Sequence, residues 1–208
     1  MATIKNILKG SILVAFLALV SCTNWQYEDT GLSYGNHDCS MWAYFATQPY
    51  DWDSTRVMIE HAGLKEVFDD TQSLGEITFL APTNLPIVTY LLNNSYKRVT
   101  EIPAEICKDM LMKLIVTKRL MVADVPRGMK DATMGTETGG EEFDLADGGK
   151  VFMYTYQSDY MGVQEVGEIA LYFSLRGTEA VSRIASTDIQ TLTGNVQALG
   201  YDFNLSNM

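Results

Sequence analysis

The chain has 208 residues, a formal charge of −11, 47% apolar residues and a mean hydropathy of −0.02. That length holds one ordinary domain with flanking segments, and the apolar content is that of a globular protein, which argues against extensive disorder. The acidic balance repels phosphate backbones, so it argues against nucleic-acid binding and makes acidic substrates poor candidates.

The chain opens with "MATIKNILKG", which carries Lys5 and Lys9 and no acid, followed by the apolar run "ILVAFLALV" from Ile12 to Val20. Spanning a bilayer takes roughly 18 or more apolar residues, so a basic start with this short run reads as a secretory signal. Leu19-Val20-Ser21-Cys22 resembles a bacterial lipobox. The resemblance implies a signal peptide over residues 1–21, cleavage before Cys22, and attachment of palmitate-type chains to its sulfur and new amino group. Removing Lys5 and Lys9 would take the charge from −11 to −13. Two or more acyl chains anchor stably, each buried CH₂ contributing about 0.8 kcal/mol. Thr23 stands where inner-membrane retention uses Asp, which favours the outer membrane. Glu28 and Asp29 in "TNWQYEDTG" resemble the surface-export signals of Bacteroidetes lipoproteins, or are simply part of a polar tether.

Residues 22–39 are aperiodic and polar, a tether, with the folded domain expected over 40–208. "CSMWAYFATQ" offers an amphipathic turn or two. "YDWDSTRVMIEHAGLKEVF" is a clearer helix, with Asp53 as its expected N-cap and Gly63-Leu64 as a left-handed stop. "EITFLAPTN" reads as a strand, Ile77 to Leu80, ending in a turn. Pro82 ends it by restricting Ala81, and Thr83 or Asn84 is expected to cap a short helix over Leu85 to Leu92.

Pro103 begins the next helix, with Ile106, Cys107, Met110, Leu111, Leu114 and Ile115 as its apolar stripe. Turn signals then separate short apolar runs: "EFDL", "KVFMYTY", "IALYFSL", "SRIASTDIQTL" and "NVQALGYDF" all read as strands. Helices first and strands after predict an α+β fold.

Three stretches carry a family resemblance. The helix ending "HAGLKEVF" with "ITFLAPTN", the middle "LMKLIVTKRLMVADVPRG", and the final "ASTDIQTLTGNVQALGYDF" together resemble a fasciclin-type domain over residues 40–205. The resemblance implies a compact α+β wedge of two small β-sheets with helices packed to one side. Two departures stand out. The aromatic-histidine pair used for adhesion by some animal members is replaced by Leu114-Ile115-Val116, and the segment from Thr136 to Gly177 is longer than usual. Such an insertion is where a diverged member would carry its own specificity.

Little in the sequence points to catalysis, cofactor or metal binding, and an enzyme is not expected. His37 and His61 lack metal-ligand spacing. Asp51, Asp53 and Thr55 mimic the start of a calcium loop, but Arg56 and Ala62 stand where it needs Gly and Glu. Asp69-Asp70 and Glu141-Glu142 are adjacent acids suited to solvated turns. Cys39 and Cys107 could pair in an oxidising compartment, worth roughly 3–4 kcal/mol, but Cys107 is equally at home as a buried thiol.

Aromatic residues are the remaining lead. In "VFMYTYQSDYMG", Phe152, Tyr154 and Tyr156 share one strand face and Val151, Met153 and Thr155 the other. Either both faces are packed or one is a binding surface, and Tyr156, Tyr160 and Met161 are the expected partner-binding residues. The lipoprotein and fasciclin resemblances imply a surface-facing outer-membrane lipoprotein, accessory to a TonB-dependent transporter and its lid lipoprotein in glycan or peptide import. The alternative is a cell-surface adhesion protein.

Overall fold

A computed structural model describes residues 35–129, 139–175 and 181–208. The leader, Cys22 and most of the tether lie outside the described residues, as do both ends of the Thr136–Gly177 segment.

Among the described residues there are five α-helices, three of them before the first strand. The first, α1 (Met41–Thr47), begins where the Ala43 N–H donates to Ser40 Oγ at 3.2 Å, and it buries Met41, Trp42, Tyr44 and Phe45. Proline then cuts the chain and restarts it: Pro49 is the first residue of α2 (Pro49–His61), where its missing N–H is harmless. The expected cap at Asp53 is therefore wrong. Proline moves the helix start upstream and leaves Asp53 exposed within the helix, which also removes any calcium-loop geometry.

The expected stop holds. Gly63 has φ +68°, its N–H donates to Glu60 O at 3.0 Å, and the Leu64 N–H donates to Ile59 O at 3.0 Å. These are the paired bonds of a glycine-terminated helix. The His61 ring Nε2 lies 2.8 Å from Ile102 O and ties the end of α2 to the loop before the last helix.

After α3 (Lys65–Asp69) comes β1 (Ile77–Ala81), buried at every position, and then α4 (Asn84–Asn93). Thr83 takes the N-cap position, but neither Thr83 nor Asn84 caps the helix in the expected way. Instead the Asn84 amide turns to α2, accepting from Ser54 N–H at 2.7 Å and donating to Pro49 O and Tyr50 O at 3.1 and 2.6 Å. Thr55 Oγ1 donates to Pro82 O, so α2 grips the corner from both sides.

The last helix, α5 (Ala104–Met112), buries Cys107, Met110 and Leu111. Ile106, placed on this stripe by the sequence pattern, is exposed, because only a narrow face of α5 meets the core. Leu114 and Ile115 are buried beyond the helix end, where Ile115 opens β2 (Ile115–Val116).

The remaining strands are β3 (Glu141–Asp144), β4 (Lys150–Gln157), β5 (Ile169–Leu175), β6 (Ser182–Thr191) and β7 (Gly194–Leu199). Among the described residues, seven strands follow the order β2-β1-β7-β6-β5-β4-β3, with β1 and β7 parallel and the other pairs antiparallel. β6 serves both halves. Its first two residues pair with β5, and the rest pairs with β7 through two register shifts. Such irregularities bend a strand, so β6 is the irregular strand that joins β2-β1-β7 to β5-β4-β3 in the seven-stranded sheet. The last strand stops at Leu199, short of "GYDF", which forms a turn. The α+β class, with helices alongside the strands, is the one expected.

A polar lattice, buried at Thr78, Asn195 and Gln197 and half-buried at Asp188, locks the middle stretch onto the sheet. Asp188, at φ +59°, accepts from Val122 N–H at 2.9 Å and from Gln197 Nε2 at 3.0 Å. Asn195 Nδ2 donates to Leu120 O at 2.8 Å, and Thr78 Oγ1 accepts from Leu120 N–H at 2.7 Å. Among the described residues, the thiols of Cys39 and Cys107 are free. Burial pushes the Cys107 thiol up to about 11, and burial, followed by the neighbouring Asp38 charge, raises that of Cys39.

Candidate partner-binding site

The expected site falls on β4 and the connection from β4 to β5. Both faces of β4 are packed. Val151 and Met153 enter the main core, while Phe152 and Tyr154 form a second cluster with Tyr156, Tyr172 and Val181. Tyr154 stacks on Tyr172 across the strand pair, with centroids 5.2 Å apart and planes 11° from parallel. Residues 126–128 lie against β4 at Thr155, whose N–H donates to Pro126 O at 3.0 Å and whose carbonyl accepts from Gly128 N–H at 2.9 Å. A Cβ on Gly128 would fall 2.9 Å from Tyr154 Cβ, so glycine permits this approach. The aromatic strand is thus structural, and Tyr156 is half-buried against its cluster.

Beyond Gln157 the chain leaves the packed body as a tip. Ser158 N–H donates to Glu168 O at 3.1 Å, Gly167 N–H to Ser158 O at 2.8 Å, and Glu165 N–H to Asp159 Oδ1 at 3.0 Å. Tyr160 and Val163 exchange both backbone bonds at 3.0 Å around Met161 (φ +50°) and Gly162 (φ +81°). Two consecutive positive φ values make a type I′ hairpin turn, whose twist suits paired strands. Arg127 lies 3.6 Å from Glu165 on one flank, and Arg183 lies 2.5 Å from Glu168 on the other.

The ordered tip presents apolar side chains to solvent: Tyr160 is 62% exposed, Met161 87%, Val163 56% and Val166 54%, with exposed Ile169 at its base. Tyr160 and Met161 are therefore brought together, and Tyr156 is not part of the same exposed surface. Val163, Val166 and Ile169 were missed from sequence. Their only advance signal was apolar residues recurring among Ser158, Asp159, Gly162 and Gly167, a composition that otherwise reads as solvated loop.

Of the adjacent acids, Asp69 and Asp70 have structural partners. Ser40 Oγ donates to Asp69 Oδ1 at 2.6 Å, and Asp70 Oδ1 accepts from Gln72 N–H at 2.8 Å. Among the described residues, no three His, Cys, Asp or Glu side chains gather where they could hold a metal ion, and no helix is long and apolar enough to cross a membrane.

No family model and no curated protein matches the chain. Among solved structures it is similar to a pair of FAS1 domains from the insect cell adhesion molecule fasciclin I, with a TM-score of 0.44 and 18% identity. The match covers 70% of this chain and 43% of that one, so the chain spans less than half of that protein's length.

Proposed function

We propose that the chain is a non-catalytic binding module of fasciclin type: an outer-membrane lipoprotein, anchored through Cys22 and facing the cell exterior, that docks a TonB-dependent import complex. The observation that carries the binding role is the β4–β5 tip. Its exposed Tyr160, Met161, Val163 and Val166 sit on a backbone pinned by five turn hydrogen bonds and flanked by two ion pairs. An apolar surface that is already ordered loses little conformational entropy when it docks. Tyrosine and methionine are also favoured interface residues. The anchor and the compartment rest on the lipobox-like Leu19-Val20-Ser21-Cys22, and the import role on the lipoprotein resemblance.

Purification of the tagged full chain from detergent-solubilised outer membrane tests the reading. A transporter and its lid lipoprotein should accompany the wild-type protein and be lost from a Tyr160→Ser, Met161→Asp double variant. Recovery of the lipoprotein alone contradicts the import role, and recovery of a host or neighbouring-cell molecule instead supports adhesion. A Cys22→Ala protein that partitions with membranes as the wild type does would overturn the anchor.

A further inference from the structure

The cavity of largest volume among those described lies apart from the tip's exposed side chains and shares with it only Arg183, whose ion pair with Glu168 flanks the tip. It opens where β5 and β6 part company, between Tyr172 and Arg183 of the sheet and the C-terminal turn, with a volume of about 330 Å³. That is near the lower end of the range for small-molecule sites. Its lining mixes two kinds of group. Tyr172 and Phe203 supply aromatic surface, and Arg183, Asp202, Asn204 and Asn207 supply polar groups.

Each part is held in place from outside the cavity. One face of Tyr172 is covered by Tyr154, stacked at 5.2 Å, so only its other face or its edge remains for the cavity. Phe203 leans on Phe173 with centroids 5.8 Å apart. The 3-10 turn Leu205–Asn207 is fixed by buried Leu205 and capped by Asn204, whose Oδ1 accepts from Ser206 N–H at 2.9 Å. Asn204 Nδ2 reaches Asn207 Oδ1 at 3.4 Å, which orients the second amide.

The chemistry narrows the ligand class. Arg183 is neutralised by Glu168 at 2.5 Å, so the cavity offers no surplus positive charge to a phosphate or carboxylate, and the chain's −11 charge opposes anions further. A wholly apolar ligand would strip water from a carboxylate, two amides and a guanidinium without replacing their hydrogen bonds. A neutral molecule rich in hydroxyls suits both kinds of group. Each hydroxyl both donates and accepts, so it can serve Asp202, the asparagine amides and Arg183, while a C–H face lies on an aromatic ring. We infer that this cavity is a binding site for a neutral saccharide of about one or two pyranose rings. The inference rests on the binding-module reading and names a ligand class for it. It needs neither the tip nor the transporter.

Calorimetric titration of the full chain with glucose, galactose, mannose, maltose, lactose and cellobiose tests it, with inorganic phosphate and trialanine as comparators. At least one saccharide should bind. Its affinity should fall about tenfold or more in Tyr172→Ala and in an Asp202→Ala, Asn207→Ala double variant, while Tyr172→Phe stays within about threefold. Asp202 and Asn207 are exposed, so that double variant should fold even if Tyr172→Ala does not. A silent saccharide panel, tighter binding of phosphate or trialanine, or affinity unchanged in the double variant would each overturn the site. Co-purification of membrane partners is scored separately. A silent panel with partners retained removes only the saccharide site, and saccharide binding with partners absent removes only the import role.

Discussion

Asn84 Oδ1 accepts from Ser54 N–H at 2.7 Å, while its Nδ2 donates to Tyr50 O at 2.6 Å. One side-chain amide thus spans an i, i+4 pair of the α2 ladder and fastens α4 to it. The Ala81–Asn84 corner is a tertiary clamp, not a local cap. Asn84→Ala should lower stability by about 2–3 kcal/mol through loss of these bonds. Asn84→Asp, which keeps the acceptor but loses both donations, should also be destabilised. Urea unfolding midpoints at constant m-value check both.

Asp188 combines a left-handed backbone with two accepted hydrogen bonds. Replacement by Ala loses the bonds and keeps the strain, whereas Gly loses the bonds and relieves it. Asp188→Ala should therefore cost about 2–3 kcal/mol and Asp188→Gly about 1 kcal/mol less. Equal losses in thermal or urea unfolding would contradict the backbone account.

Gly194 opens β7 at φ +145°, and a Cβ there would fall 2.0 Å from Ile77 O. Any side chain must push β7 away from its parallel partner β1. Gly194→Ala should cost on the order of 3 kcal/mol or more, seen as a lowered unfolding midpoint and faster amide exchange in Ile77–Ala81.

Burial raises the Cys107 thiol from an ordinary 9.0 to about 11. A raised value means that the folded state favours the protonated thiol. The resulting stability is present below about pH 9 and is lost as pH rises towards 11, by roughly 2–3 kcal/mol. Wild-type stability should therefore approach that of Cys107→Ala across this window. Native Cys107 should also resist iodoacetamide at pH 8, where unfolded protein reacts; peptide mapping of the alkylated chain checks this.

What the sequence made legible was local. The glycine stop at Gly63, the strand into Pro82 and the short turn-bounded strands are written in neighbouring residues. Asp53 looked like a cap until Pro49 proved the stronger start signal four residues earlier. The roles of Asn84 and Asp188 were out of reach, because their partners Ser54 and Val122 lie 30 and 66 residues away. At the candidate site, Tyr160 and Met161 were expected to be exposed because they stand near the turn end of an aromatic run, and both are exposed. Tyr156 was misplaced because strand alternation marks which face a residue shares and not what covers that face. Val163, Val166 and Ile169 became part of the surface only once the turn hydrogen bonds fixed the tip.

The most direct test of the binding account is a photo-crosslinking amino acid at position 161 of the full chain in intact cells, compared with the same group at exposed Lys108 on α5. The account predicts an adduct with an outer-membrane transporter or its lid lipoprotein from position 161 and none from position 108. Adducts with these partners from position 108 but not from 161, or from neither position, would contradict it.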